Sequence, residues 1–130
     1  MTLTEDKCFE FLEKIRWSGK PTCPYCGSVR ASRMRCEHRY HCNHCFTSYR
    51  VTVNTIFHHS HVKLPKWFKA IYVVTSKEKD ISARSLAKEI SVSKNTALSI
   101  KKRILQAKAE KPKDLLLISE FYRDFFDLQQ

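Results

Sequence analysis

Cys23-Pro24-Tyr25-Cys26 and Cys42-Asn43-His44-Cys45 decide how this chain is read. Each pair spaces its thiols by two residues, the gap at which a tight turn aims both sulfurs at one ion. Fifteen residues separate Cys26 from Cys42, which is the spacing of a C-x₂-C-x₁₅₋₂₀-C-x₂-C zinc site. Two such turns complete a tetrahedral shell with no position open to substrate or water. One structural Zn²⁺ held by Cys23, Cys26, Cys42 and Cys45 is therefore the expected cofactor. The rival readings are two disulfides or free thiols.

Compartment argues against the rivals. The chain begins Met1-Thr2-Leu3-Thr4-Glu5-Asp6-Lys7, without the basic and apolar regions of a secretory signal. No apolar run approaches the ~18 residues of a membrane span. A cytoplasmic location is expected (nucleoid-associated in a bacterium), where thiols stay reduced and paired cysteines are more often ligands than bridges. Cys8 falls in a helical stripe with Phe11, Leu12 and Ile15 and reads as core. Cys36 shares strand parity with His38, Tyr40 and Cys42 and reads as half-buried beside the ribbon.

Charge points to the partner. The chain carries 24 Lys and Arg against 13 Asp and Glu, a formal net charge of +11. Residues 23–60 hold five arginines (30, 33, 35, 39 and 50) against Glu37 alone, and residues 61–111 hold thirteen basic against four acidic side chains. The tail from Pro112 reverses to two against four. A basic middle of this kind is the electrostatic footprint of a polyanion binder. Because the basic residues interleave with zinc and turn motifs, they do not form the single amphipathic helix of a membrane-surface protein.

The pattern predicts an α+β fold of small modules in series. An N-terminal helix (1–19) starts at a Thr4 cap with acids in its first turn and stops at Ser18-Gly19. A Cys₄ zinc ribbon of antiparallel strands occupies 20–60, with a third strand expected over Tyr49–Val53. A helix-turn-helix domain occupies 61–111, entered through Pro65 at a first helical turn. Within it, Leu86, Ala87 and Ile90 face Ala97, Ile100 and Ile104 across a turn plugged by Val92. An amphipathic helix (112–130) ends the chain.

If the helix-turn-helix reads DNA, the start of its second helix enters the major groove. Lys94, Asn95, Thr96 and Ser99 are the candidates for base edges, Asn95 suiting adenine and Lys94 guanine. Arg84, Lys88, Lys101, Lys102 and Arg103 suit phosphates, as do Arg30, Arg33, Arg35 and Arg39 of the ribbon. The cluster His58, His59 and His61 invites a second metal site or a catalytic base. With no carboxylate or cysteine close by in sequence, it reads more simply as a linking loop.

Arg16-Trp17 before the first pair, Cys-Pro-Tyr-Cys-Gly-Ser, Tyr40-His41-Cys42, Val51-Thr52-Val53-Asn54-Thr55-Ile56-Phe57-His58 and Leu64-Pro65-Lys66-Trp67-Phe68-Lys69-Ala70-Ile71-Tyr72 together resemble the front end of Merlin-like insertion-sequence transposases. The resemblance runs from about Arg16 to Ile104 and implies a module that recognises transposon-end DNA. Two positions depart from that pattern, Phe46 and Asn54 standing where Gly is usual; separately, Ser91 stands where the turn of a helix-turn-helix usually carries Gly. In that family an RNase H-like domain with an acidic triad follows. Here only about twenty residues follow Pro112, and Asp114, Glu120, Asp124 and Asp127 lie too close together to be that triad.

The expectation is thus a non-catalytic DNA-binding protein, a regulator or targeting subunit, with double-stranded DNA as partner and no small-molecule substrate. The alternative is a protein adaptor of a larger nucleic-acid-processing complex. Leu117, Ile118, Phe121, Phe125 and Leu128 form an apolar stripe that either packs on the chain's own helices or serves a homodimer or a larger complex.

Overall fold

The computed structural model describes residues 3–34, 38–53, 55–58, 60–76 and 81–127. Arg35, Cys36, Asn54, His59 and Leu128, all singled out above, lie outside the described residues. Among the described residues, five helices and one three-stranded antiparallel sheet give an α+β fold. The chain divides into two compact units, one of residues 4–61 and one of residues 62–130 with the first three residues.

In the first unit, helix α1 (Glu5–Trp17) begins where Thr4 Oγ1 accepts the Lys7 N–H at 3.3 Å. It ends where Ser18 turns left-handed at φ 52° and donates its N–H to the Lys14 carbonyl. Its buried face is Cys8, Phe9, Leu12 and Trp17; Phe11 and Ile15 are only half-buried. Strands β1 (Ala31–Arg33), β2 (Tyr40–Cys42) and β3 (Ser48–Tyr49) pair in sequence order, Ala31 facing Cys42 and Tyr40 facing Tyr49. Strands this short bury little on their own.

Their interior is a trio of rings from helix and sheet. Trp17 meets Tyr40 and Tyr49 edge-on, at 5.5 and 5.7 Å, while the two tyrosines stack at 5.9 Å. The Tyr40 hydroxyl donates to Glu13 Oε1 at 2.5 Å. Burial and that carboxylate push the phenol up to about 12, so it remains a donor across the neutral range. Near the start of α1, His38 stacks on Phe9 at 4.5 Å and its Nε2 meets Asp6 Oδ1 at 2.6 Å.

The third strand is shorter than the sequence predicts. After Tyr49 the backbone turns, with the Val53 N–H on the Arg50 carbonyl at 3.2 Å. The carbonyls of Val51 and Val53 accept from the Arg16 guanidinium instead of from a neighbouring strand. Val51 is buried nonetheless, which is why its alternation mimics a strand.

In the second unit, α2 (Leu64–Ser76), α3 (Ala83–Ile90), α4 (Lys94–Glu110) and α5 (Pro112–Asp127) form a helical cluster. Pro65 falls in the first turn of α2, where its missing N–H costs nothing. Trp67, Phe68, Ile71, Leu86, Ile100 and Ile104 are its largest fully buried side chains. Helix α5 lies on α2 and α4, with Phe121 edge-on to Phe68 at 5.9 Å and Tyr122 against Tyr72 at 5.3 Å. Ser119 Oγ meets Thr75 Oγ1 at 3.2 Å. Leu115 and Ile118 are buried and Leu117 is half-buried, so the described part of the C-terminal stripe serves the chain's own packing.

Arg16 fastens α1 to the chain that leaves the ribbon. Replacing it, Arg16→Met, removes both donors from Val51 and Val53 at a partly solvated site. The expected loss is about 1–2 kcal/mol, read by amide hydrogen exchange over residues 40–53 in the zinc-loaded protein. Unchanged protection there would show that Arg16 does not fasten the segment.

Candidate metal centre and nucleic-acid interface

Two turns of matching construction bring the four thiols together. In the first, Cys23 donates its N–H to the Ser28 carbonyl and its carbonyl accepts from Gly27, both at 2.9 Å. In the second, Cys42 does the same with Thr47 and Phe46, again at 2.9 Å. Each turn also points an N–H at its leading sulfur: Tyr25 at Cys23 Sγ and Cys45 at Cys42 Sγ, both at 3.4 Å. The Asn43 N–H reaches the Arg30 carbonyl at 2.8 Å, joining the second turn to the strand that follows the first.

The result is four Sγ atoms all within 4.8 Å of one another. Cys23 to Cys45 is 3.6 Å and Cys26 to Cys42 is 3.5 Å. A Zn–S bond of about 2.3 Å in a regular tetrahedron separates sulfurs by about 3.8 Å, so the cluster is sized for one zinc ion. Acid–base chemistry agrees. N–H groups of Cys45 and His44 lower the Cys42 thiol to about 6 against the pull of burial. At Cys26 the Ser28 N–H pulls downward, but burial and the other three sulfurs push the thiol up to about 12. Four crowded sulfurs cannot all ionise without a cation among them, and zinc supplies the charge.

Cys8 takes no part in this cluster. It is fully buried in α1, and burial, with Glu5 nearby, pushes its thiol up to about 12. Among the described residues the four cysteines are the one group of three or more side chains placed to hold a metal. His58 is half-buried in a turn and His61 is exposed; neither joins a second such group.

The matching turns expose a detail that the spacing conceals. Gly27 has φ 78° and Phe46, at the equivalent place, has φ 62°. The left-handed backbone costs an L-residue roughly 1–2 kcal/mol. Phe46 keeps the turn intact rather than altering it, and bears that strain with its ring 75% exposed.

The sequence-based DNA candidates fall on two surfaces. Arg30 and Arg33 are exposed on the ribbon and Arg39 is half-buried. On the helical unit, α3 and α4 are joined by Ser91, Val92 and Ser93. Ser91 is left-handed at φ 57° and ends α3, while Ser93 Oγ accepts the Thr96 N–H at 3.2 Å and starts α4. Lys66 Nζ, from α2, donates to the Ser91 carbonyl at 3.0 Å and holds this turn. Leu86, Ala87, Ile90, Ala97, Ile100 and Ile104 are buried, and Val92 is half-buried in the turn.

Outward from that core, Arg84, Lys88, Lys94, Asn95, Ser99 and Lys102 are exposed, and Lys101 and Arg103 are half-buried. Thr96 is tied inward, its Oγ1 accepting from Ser93 Oγ at 2.8 Å, which leaves it the least available of the base-edge candidates. Sequence reasoning did not single out Lys66 for this turn, because the contact spans 25 positions. Among the described residues no helix is long and apolar enough to cross a membrane.

A Cys₄ centre between two such turns, with three short antiparallel strands, defines a zinc ribbon. Residues 3–48 match the transposase zinc-ribbon domain. The chain is also similar to a protein from Halobacterium salinarum described as an uncharacterized protein in transposable element ISH50. The two are 34% identical over 108 residues, which is 81% of this chain and 36% of that protein. The chain thus spans little more than a third of that relative's length. No solved structure matches it significantly.

The ribbon is expected to depend on its metal. Purified protein should hold one zinc per chain, and Cys42→Ser should lose it. Chelation should then abolish amide protection in residues 4–61 while the helices from α2 to α5 stay protected. Retention of ribbon protection after complete zinc removal would contradict this. Separately, Phe46→Gly should stabilise the zinc-loaded ribbon by about 1–2 kcal/mol, measured as greater resistance to chelation.

Proposed function

We propose that this chain is a zinc-stabilised reader of double-stranded DNA, similar to the front end of a Merlin-like transposase. In this reading α3, its turn and α4 act as a helix-turn-helix. The carrying observation is the start of α4: a three-residue turn held by Lys66 presents Lys94, Asn95 and Ser99 outward, above a buried apolar seam. Asn95 offers a donor and an acceptor to adenine, and Lys94 donors to guanine. Arg84, Lys88, Lys101, Lys102 and Arg103 supply phosphate contacts, which set affinity and salt dependence. The ribbon adds backbone contacts through Arg30, Arg33 and Arg39. The match of residues 3–48 to a transposase zinc-ribbon domain supports a nucleic-acid partner.

The role assigned to this segment is binding, as a regulator or a targeting unit, rather than cutting. A closed Cys₄ shell leaves zinc no position for a reacting water. Asp114, Glu120 and Asp124 sit along the single helix α5, and among the described residues they join no group of side chains placed to hold a metal, which a two-metal site requires. The adaptor reading and the homodimer through Leu117, Ile118, Phe121 and Phe125 have less support. Ile118 is buried and Phe121 is engaged with Phe68.

The test is a pair of variants on mixed-sequence duplex DNA. Lys102→Gln should weaken binding to every sequence and reduce the salt slope by about one. Asn95→Ala should leave the slope unchanged and cost about 1–3 kcal/mol at one base pair of the preferred site. If the two variants behave alike on all sequences, α4 is not a recognition helix.

A further inference from the structure

Among its described residues the ribbon carries two exposed apolar rings, Tyr25 and Phe46, that the helix-turn-helix reading leaves without a task. Tyr25 lies inside the first cysteine turn and is 57% exposed; Phe46 closes the second and is 75% exposed. Both turns grip the same cluster of sulfurs, so the two rings stand at the metal end of the ribbon. Phe46 is anchored by its turn, with the His41 ring beside it at 6.2 Å. It also holds a left-handed backbone that glycine would adopt without strain, and its ring gains little burial in return.

The same small unit carries exposed arginines. The Arg30 carbonyl is bonded to the second turn through Asn43, and the Arg30 and Arg33 side chains are exposed. Glu37 is the one acidic residue between positions 23 and 60. Exposed aromatic rings and exposed arginines on one small unit suit a ligand that has flat apolar faces along an anionic backbone, which is a nucleic acid. In an intact duplex those faces are covered by neighbouring bases. A ring can reach one only at a step that is opened, kinked or mispaired.

We propose that Tyr25 and Phe46 form a wedge that stacks on bases at an opened step of DNA, while Arg30 and Arg33 hold the flanking phosphates. The inference rests on the DNA-binding reading above and extends it to the ribbon. The rings add affinity without neutralising phosphate, so they are silent in the salt dependence. The zinc fixes both turns, so the wedge is rigid before it meets its target and loses little entropy on binding.

The test uses the full zinc-loaded chain with two 30-base-pair probes of the same mixed sequence, one fully paired and one with a two-nucleotide mismatch bubble. The wild-type chain should prefer the bubble by about fivefold or more, as base–aromatic stacking predicts. Phe46→Gly, whose backbone suits the turn, should keep its zinc and its salt slope but lose that preference. Tyr25→Ala should reduce it. Equal binding of the two probes by the wild-type chain, or an undiminished preference in Phe46→Gly, overturns the wedge alone. Binding to neither probe overturns the wedge together with the DNA-binding reading.

Discussion

The convergence of four sulfurs on one point is the constraint from which the rest of the N-terminal unit follows. Three strands of two or three residues and one trio of rings cannot hold roughly thirty residues of ribbon in one conformation. Structural zinc contributes about 10–16 kcal/mol apparent in finger peptides at neutral pH, which is comparable to the whole stability of a typical small domain. Once both turns are fixed on one ion, the register Ala31 to Cys42 follows. Tyr40 and Tyr49 are then presented to Trp17, and α1 is capped onto the sheet. The same constraint explains how Phe46 persists in a backbone conformation that disfavours it.

The helical unit is stabilised differently, by conventional burial. Helix α2 is its hub: Trp67, Phe68 and Ile71 are fully buried, and α3, α4 and α5 all pack on it. Its Lys66 also reaches the carbonyl of Ser91, so the helix that anchors the core also steadies the turn before α4. A positive charge at the end of α3 is favourable there because carbonyls converge at a helix C-terminus. Presentation of Lys94 and Asn95 is thus coupled to the packing of a helix that itself carries none of the proposed base contacts.

Features encoded by near neighbours were legible in the sequence. Metal spacing, the Thr4 cap and the stop at Ser18 are set within a few residues, and the seam from Leu86 to Ile104 follows from helical period within two consecutive helices. Features set at long range were not. The β alternation at Val51 and Val53 points to a strand, but Arg16, at least 35 positions away, takes their carbonyls. The stripe on α5 has an apolar period that fits self-packing and partner binding equally; only the placement of Phe68 and Tyr72 beneath it distinguishes them. Thr96 reads as a base contact by position, whereas its hydroxyl is occupied by the cap of its own helix.

The most direct measurement is selection of bound sequences from a random pool of duplex DNA by the zinc-loaded chain at near-physiological salt. The account predicts an enriched motif that disappears when α4 is altered at Lys94 and Asn95. Tight binding with no enriched sequence would contradict it, leaving α3 and α4 as an electrostatic grip and the helix-turn-helix assignment without support.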